Sequence, residues 1–565
     1  MQAGVAAVPE IFTNGKLLEI PFFQRGYVWG EELWERLLED IEFAANSDRP
    51  HFLGSVILKK GKVCDPFIYH DIVIDGQQRL TTLMIFMKAL SLKRRQEDFF
   101  NSHFRFYGKE AYLKPSINDL DFFEEVINHA KAEKLPNPSS SKIIQAFNYF
   151  IERVDPQLDT NDILRNLRFI RIDLGEGEDE QEIFDTINSL GISLTTSELL
   201  KNYFFSRESI EDYQNLWVPI FEKDEETKEY WNKQIDGARG PMIEVFFDAF
   251  FQILIQDPKI GIKNEDKVDY LRRDRLSNSY KQVIKRYFNG EKDKVLKKLQ
   301  EYAVRFREIF SPDECNRCIA SEFGIERINV IIFGLKNTTL IPYILYVSKE
   351  APTELSKICE VLESFIMRRM VVKESTRGYN NLFSSLIANG TLSAESLKSK
   401  LFYSSSGVSS VPSDDALLKA FLESKLTNLQ SKGIIYLIES KLRPVNSSVS
   451  LLSFNSYSLE HLMPKKWRNN WKLKDMTEGS EKIRDSRLLT LGNLAIITPS
   501  LNASIRDAEW SIKKKGKKGK PGLEVCSQGI LTISDFLKLT EWEEQNILDR
   551  SQWLFEKAKN IWAFP

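Results

Sequence analysis

Two short stretches of this sequence hold residue types at spacings that could do chemistry. In DIVIDGQQR, from Asp71 to Arg79, an apolar run stops at Asp75, and Gly76 can take backbone angles closed to other residues. A helical pattern then opens with Gln77, Gln78 and Arg79. The start of a helix offers unpaired N–H groups and partial positive charge, which suit a phosphate, and an arginine there can grip it bidentately. Asp75 would then stand where it can hold Mg²⁺ or position a water. An ordinary Asp-Gly turn followed by a solvated arginine would read the same, so the corner alone leaves both readings open. No GxxxxGK[ST] occurs in the chain, which excludes a conventional P-loop.

The second stretch is YSLEHLMPKKW, Tyr457 to Trp467, with Glu460 directly before His461 and Pro464 three residues after it. Asn493 follows 32 residues beyond His461, in LLTLGNLAIITPSLNASI, and Asn502 lies nine beyond Asn493. A single histidine is often a packed residue, and asparagines often cap turns. Close behind comes KKKGKKGK, with six lysines in the eight residues from Lys513 to Lys520. Such a run is either a solvated loop or a clamp on a phosphate backbone.

The elements that must carry these residues are legible from periodicity. Strands are expected at LLEIPFF, FLGSVIL, DIVID and LRFIRIDL, and helices at EELWERLLEDIEFAAN and QQRLTTLMIFMKALSLKRR. This makes residues 1–205 an α/β or α+β domain. Residues 206–403 read as almost wholly helical. Ser, Gly and Pro in SSSGVSSVPSDD mark residues 404–444 as a linker with a connecting helix, and 445–565 as a C-terminal domain. At 565 residues, and roughly 100 to 200 residues per domain, about three domains are expected.

Net charge is -2, so no nucleic-acid or membrane partner is announced by composition. No apolar run is long enough to span a bilayer and the first residues lack a signal-peptide pattern, so a cytoplasmic protein without a membrane partner is expected. Five scattered cysteines form no disulfide framework, and the lone Cys315/Cys318 pair lacks the two further ligands a zinc site needs.

DGQQR, preceded by IPFFQRGYVW and HFLGSVIL and followed by FDTINSLGISLTTSELLKNY, closely resembles the N-terminal domain of the GmrSD family of modification-dependent type IV restriction endonucleases, with SspE-like phosphorothioate sensors as relatives. The resemblance implies a ParB-like or sulfiredoxin-like domain that binds and hydrolyses GTP or another nucleoside triphosphate. Carried across, it assigns nucleotide binding to Gln24, Arg25, Asp75, Gly76, Gln77, Gln78, Arg79, Asn188 and Lys201, with Asp75 and Arg79 serving hydrolysis. Phe184 and Gly191 match the same later element, and Glu198 stands where aspartate is expected. The aromatics Phe22, Phe23, Tyr27, Trp29 and Trp34 divide between core and a base-contacting surface.

EHLMP, LGNL and LN resemble the His-Asn-Asn form of the ββα-metal, or HNH, nuclease motif that the same family pairs with DGQQR domains. His461 is then the general base that takes a proton from the attacking water. Glu460 and Asn502 become ligands of Mg²⁺ or Mn²⁺, Asn493 holds the hairpin or orients His461, and Lys513, Lys514, Lys515, Lys517 and Lys518 contact DNA. The resemblance spans the first 205 and roughly the last 125 residues. The expected whole is a multidomain α+β, NTP-regulated endonuclease acting on modified phage DNA, with a homodimer allowed. The alternative is a nucleotide-switched DNA-binding sensor whose nuclease is weak or silent.

Overall fold

The computed structural model describes residues 2–13, 16–21, 24–47, 49–65, 68–116, 119–175, 195–205, 210–238, 240–270, 276–402, 410–444, 451–473, 478–517 and 519–564. They form a mixed α+β protein in two compact units, Met1–Pro219 and Ile220–Pro565.

The first unit is built on a six-stranded mixed sheet of β1 (Gln2–Ala7), β2 (Lys16–Glu19), β3 (His51–Asp65), β4 (Ile68–Asp75), β5 (Leu113–Lys114) and β6 (Leu167–Leu174), in the order β1-β6-β3-β4-β2-β5. β3 runs antiparallel to β4 and parallel to β6, while β2 runs parallel to β4. β6 changes the face it buries part-way along. Leu167 and Phe169 join the main core, whereas Ile172 and Leu174 join Ile57 and Ile74 in a separate small cluster. Alternate residues of a strand point to opposite faces, so the two pairs cover opposite sides of the sheet.

The helices α1 (Glu31–Ala45), α2 (Gln77–Arg94), α3 (Lys142–Arg153) and α4 (Thr196–Phe204) complete the frame of this unit. α2 is buried on all sides from Leu80 to Leu92, Thr81, Thr82, Lys88 and Ser91 included, as befits a central rather than a surface helix. Phe86 meets Phe150 of α3 edge to face, with ring centroids 5.4 Å apart. The strands and helices expected around the DGQQR corner are all present. β1 was not expected, because QAGVAA lacks the large alternating side chains that announce a strand.

The second unit is mainly helical. α5 (Met242–Gln256), α6 (Lys292–Ile309), α7 (Leu355–Val372), α8 (Asp414–Glu423) and α9 (Asn428–Leu442) precede a two-stranded antiparallel sheet of β7 (Ser458–His461) and β8 (Leu494–Ile497). Then come α10 (Pro499–Ile505), α11 (Trp510–Lys515), a small hairpin of β9 (Gly516–Lys517) and β10 (Lys520–Pro521), and α12 (Glu544–Ile561). Part of the segment read as a linker is core: Leu417, Phe421 and Ile434 through Ile438 are buried in α8 and α9. The middle helices are tied to the C-terminal segment by buried arginines. Arg327 pairs with Glu363 at 2.6 Å, Glu363 accepts from Trp562 Nε1 at 3.0 Å, and Arg368 donates to the Trp562 carbonyl at 2.7 Å.

Candidate functional sites

In the first unit, β4 ends at Asp75, which pairs with Ile57 of β3. Gly76 follows with φ +96° and caps α2 from the left-handed region. A Cβ there would lie 3.0 Å from Val56 Cγ2 and 3.2 Å from the Ser55 carbonyl, so both the angle and the space call for glycine. Arg79 leans back over β3, where its Nη1 donates to the Ser55 carbonyl at 2.9 Å. Gly54, at φ +114°, leaves room for that guanidinium, since a Cβ would stand 3.1 Å from Arg79 Cζ.

Gln78 fastens the QRGYVW loop to this corner. Its Oε1 accepts from the Val28 N–H at 2.9 Å and its Nε2 donates to the Gly26 carbonyl at 3.2 Å. Gln24 Nε2 donates to the Val73 carbonyl at 3.1 Å, two residues before Asp75, while its buried Oε1 has no hydrogen-bond partner. Arg25 Nε is likewise buried without a hydrogen bond, 3.8 Å from Glu198 Oε1. Glu198 closes a capping box with Thr195 at the start of α4, and Lys201, one turn on, is buried beside the Tyr213 ring. The expected departure at Glu198 is thus a cap that also faces Arg25.

The structure therefore brings Gln24, Arg25, Asp75, Gly76, Gln78 and Arg79 to one corner. Gln78 uses both ends of its amide to brace the loop, which makes it a support. Asn188, Phe184 and Gly191, assigned to the nucleotide by resemblance, lie outside the described residues, as do Phe22 and Phe23. Tyr27 and Trp34 belong to the core rather than a sensing surface: Tyr27 Oη lies 2.6 Å from Thr82 Oγ1 and accepts from Trp34 Nε1 at 2.8 Å. Sequence reading missed Asp119, which accepts from the Tyr27 N–H at 2.7 Å and from Ser116 Oγ at 3.1 Å, its carboxyl pushed up by burial. Nothing near Asp119 in the sequence signals that it meets a loop 92 residues earlier.

In the second unit, β7, β8 and α10 form a strand–strand–helix arrangement in which His461 pairs with Leu494 and Glu460 with Ala495. Asn493 is fully buried and fully bonded. Its Oδ1 accepts from the Met463 N–H at 2.8 Å and from Trp542 Nε1 at 3.1 Å; its Nδ2 donates to the carbonyls of Met463 and Leu488 at 2.8 and 2.9 Å. It holds the turn that follows His461. Arg550 of α12, also fully buried, donates to the carbonyls of Gly492 and Leu494 at 2.7 and 2.8 Å and so fixes the entry to β8.

Asn502 Nδ2 donates to Ser458 Oγ at 3.0 Å and to the Leu459 carbonyl at 3.1 Å, which sets the carboxamide against the strand that carries Glu460. The His461 imidazole is pushed down to about 4, first by burial and then by the charges of Lys465 and Lys513. It is accordingly neutral at pH 7.

Two of the lysines expected on DNA are instead internal. Lys513 is fully buried on α11 and donates to Glu460 Oε1 and, at 2.7 Å, to the His461 carbonyl. Lys514 is buried too, donating to the Leu539 carbonyl at 2.8 Å and pairing with Glu524 at 3.1 Å. Neither can lie along a DNA backbone in this arrangement, because the helical pitch of α11 turns both inward. Lys515 and Lys517 are exposed, and Lys518 lies outside the described residues. Burial pushes the Glu460 carboxyl up and the Lys513 ammonium down, each against the pull of the other.

The donor set around His461 fits a hard cation better than zinc. Glu460 and Asn502 each carry side-chain oxygen, one Glu460 oxygen being held by Lys513, and no group of three or more His, Cys, Asp or Glu that could hold a metal occurs among the described residues. A cation here would therefore complete its shell from water or substrate, as Mg²⁺ commonly does.

The family model described as GmrSD restriction endonuclease, N-terminal domain, matches residues 8–205, and that described as GmrSD restriction endonucleases, C-terminal domain, matches residues 411–557. The second match takes in α8 and α9 as well as the strand–strand–helix arrangement. No curated protein matches the chain. Among the described residues, no helix is long and apolar enough to cross a membrane.

Proposed function

The chain belongs to the GmrSD restriction endonuclease family, carrying both of its domains, and from that premise we propose that it is an NTP-regulated, metal-dependent HNH-type endonuclease that cuts modified phage DNA. The observation that carries the reading is His461: a half-buried imidazole at the end of β7, directly after a buried carboxylate and on a turn locked by Asn493. Glu460 and Asn502 would hold Mg²⁺ or Mn²⁺, which when bound supplies polarisation of the scissile phosphate and charge for the leaving oxygen. His461 takes a proton from the attacking water on a ring nitrogen. Asn493 and Arg550 keep the two strands in register around it. In the first unit, the N–H groups at the start of α2 and the Arg79 guanidinium would bind the phosphates of GTP or another nucleoside triphosphate. The buried Gln24 Oε1, which has no hydrogen-bond partner among the described residues, supports a ligand at that corner, since buried polar atoms are ordinarily bonded.

A second reading, a nucleotide-switched DNA-binding sensor with a silent nuclease, draws on the ion pair that Lys513 makes with Glu460. Plasmid relaxation separates the two. Purified wild type with Mg²⁺ or Mn²⁺ is expected to nick or cut modified plasmid, and His461→Ala to lose cutting while retaining NTP hydrolysis. Equal cutting by both proteins would overturn the nuclease assignment.

A further inference from the structure

The turn after His461 is pinned at both ends. On one side the Leu462 N–H donates to the Asn493 carbonyl at 2.9 Å, and both backbone groups of Met463 bond the Asn493 side chain. On the other, Trp467 is buried and donates from Nε1 to Asp485 Oδ1 at 2.7 Å. Between these anchors Pro464 is buried, while Lys465 and Lys466 are exposed. Two lysines are thus displayed on a rigid turn beside the imidazole. Rigid supports of this kind hold binding groups more precisely than free loops do.

Their charge is not neutralised locally. Two acids packed near this turn are taken by Arg468, which pairs with Glu481 at 2.7 Å and with Asp485, the acceptor of Trp467, at 3.0 Å. Among the described residues neither Lys465 nor Lys466 has a carboxylate partner. The exposed Lys515 ends α11, whose Lys513 bonds the His461 carbonyl, and the exposed Lys517 and Lys520 follow it. The Lys513 side chain thus ties the second set to His461, the residue whose own following turn carries the first.

We infer that Lys465 and Lys466 bind phosphates of the DNA strand to be cut, as a second bank of contacts beside the lysines of the β9–β10 hairpin. The inference rests on the nuclease reading. A phosphate drawn to this turn lies next to the general base, where the scissile bond has to be, whereas binding elsewhere on the unit would not orient the strand.

The test is DNA binding in a His461→Ala parent, which removes cutting during the measurement. Fluorescence anisotropy with a labelled unmodified duplex, over a salt series, is expected to show that K465Q/K466Q lowers the slope of log K against log salt by about 1.8, about 0.9 for each lost phosphate contact. Arginine at both positions should restore it. Exposed Lys285 and Lys297, in the middle helices, serve as the control pair, and their replacement by Gln should leave the slope unchanged. A slope for K465Q/K466Q equal to the parent's, or an equal loss in the control pair, would overturn the inference while leaving the nuclease reading in place. Failure of the parent to bind either this duplex or one carrying the modification would overturn both.

Discussion

Asn493 bonds both backbone groups of Met463 at 2.8 Å through its single carboxamide, so the turn leaving the proposed general base His461 is held by one side chain. The same Oδ1 also accepts from Trp542 Nε1. Asn493→Ala would leave these buried groups bare, at a cost of about 1 to 3 kcal/mol for each one left unpaired. The expected result is a loss of stability on the order of 3 kcal/mol together with loss of cutting. Urea unfolding checks it, and a variant as stable as wild type would show that the turn does not depend on Asn493.

Arg79→Ala is expected to abolish NTP hydrolysis with the fold retained. Its one hydrogen bond to the Ser55 carbonyl contributes about 1 kcal/mol, too little to unfold the unit. Phosphate release and circular dichroism, measured on the same preparation, decide the matter. Hydrolysis near the wild-type rate would remove the nucleotide from this corner.

Lys513 should behave unlike its exposed neighbours. Lys513→Gln breaks a buried pair and strands Glu460, which is expected to lower stability by about 3 kcal/mol, and adding Glu460→Gln should recover part of that. Lys515→Gln and Lys517→Gln should leave stability unchanged and reduce the salt dependence of DNA binding. Denaturation of the three variants and the double variant, followed by salt titrations, separates the two kinds of lysine.

Acid should weaken the metal-free protein partly through His461. Its folded value of about 4 lies below the ordinary 6.5, so between those values the unfolded chain binds the proton and the folded chain does not. The stability linked to this group is therefore complete above about pH 6.5 and is lost as pH falls toward 4. In EDTA, His461→Gln is expected to lose less stability than wild type across that window. Parallel curves for the two proteins would mean that His461 is protonated as readily in the fold as in water.

The corner at DGQQR was legible in sequence because its determinants are local. A strand pattern, a glycine and a helical repeat lie within a few residues, and β4, Gly76 and α2 follow from them. The proximity of Glu460 to His461 and the nine-residue step from Asn493 to Asn502 were equally readable. What a residue does with its side chain was another matter. Gln78 reads as a ligand yet braces a loop 50 residues earlier in the chain. Asp119, which holds that same loop, carries no local signal at all.

The amino-acid sequence by itself determined the mixed α+β character, the family and the residues available for chemistry, because those rest on period, spacing and motif. Only the tertiary structure decided which lysines of KKKGKKGK face water. Six similar side chains read as one basic run, but α11 turns Lys513 and Lys514 inward, where burial is tolerable only because Glu460, Glu524 and two carbonyls receive them. The partners come from segments far apart in the chain, Glu460 standing 53 residues before Lys513, so their meeting depends on how β7 and α11 pack and not on any local pattern.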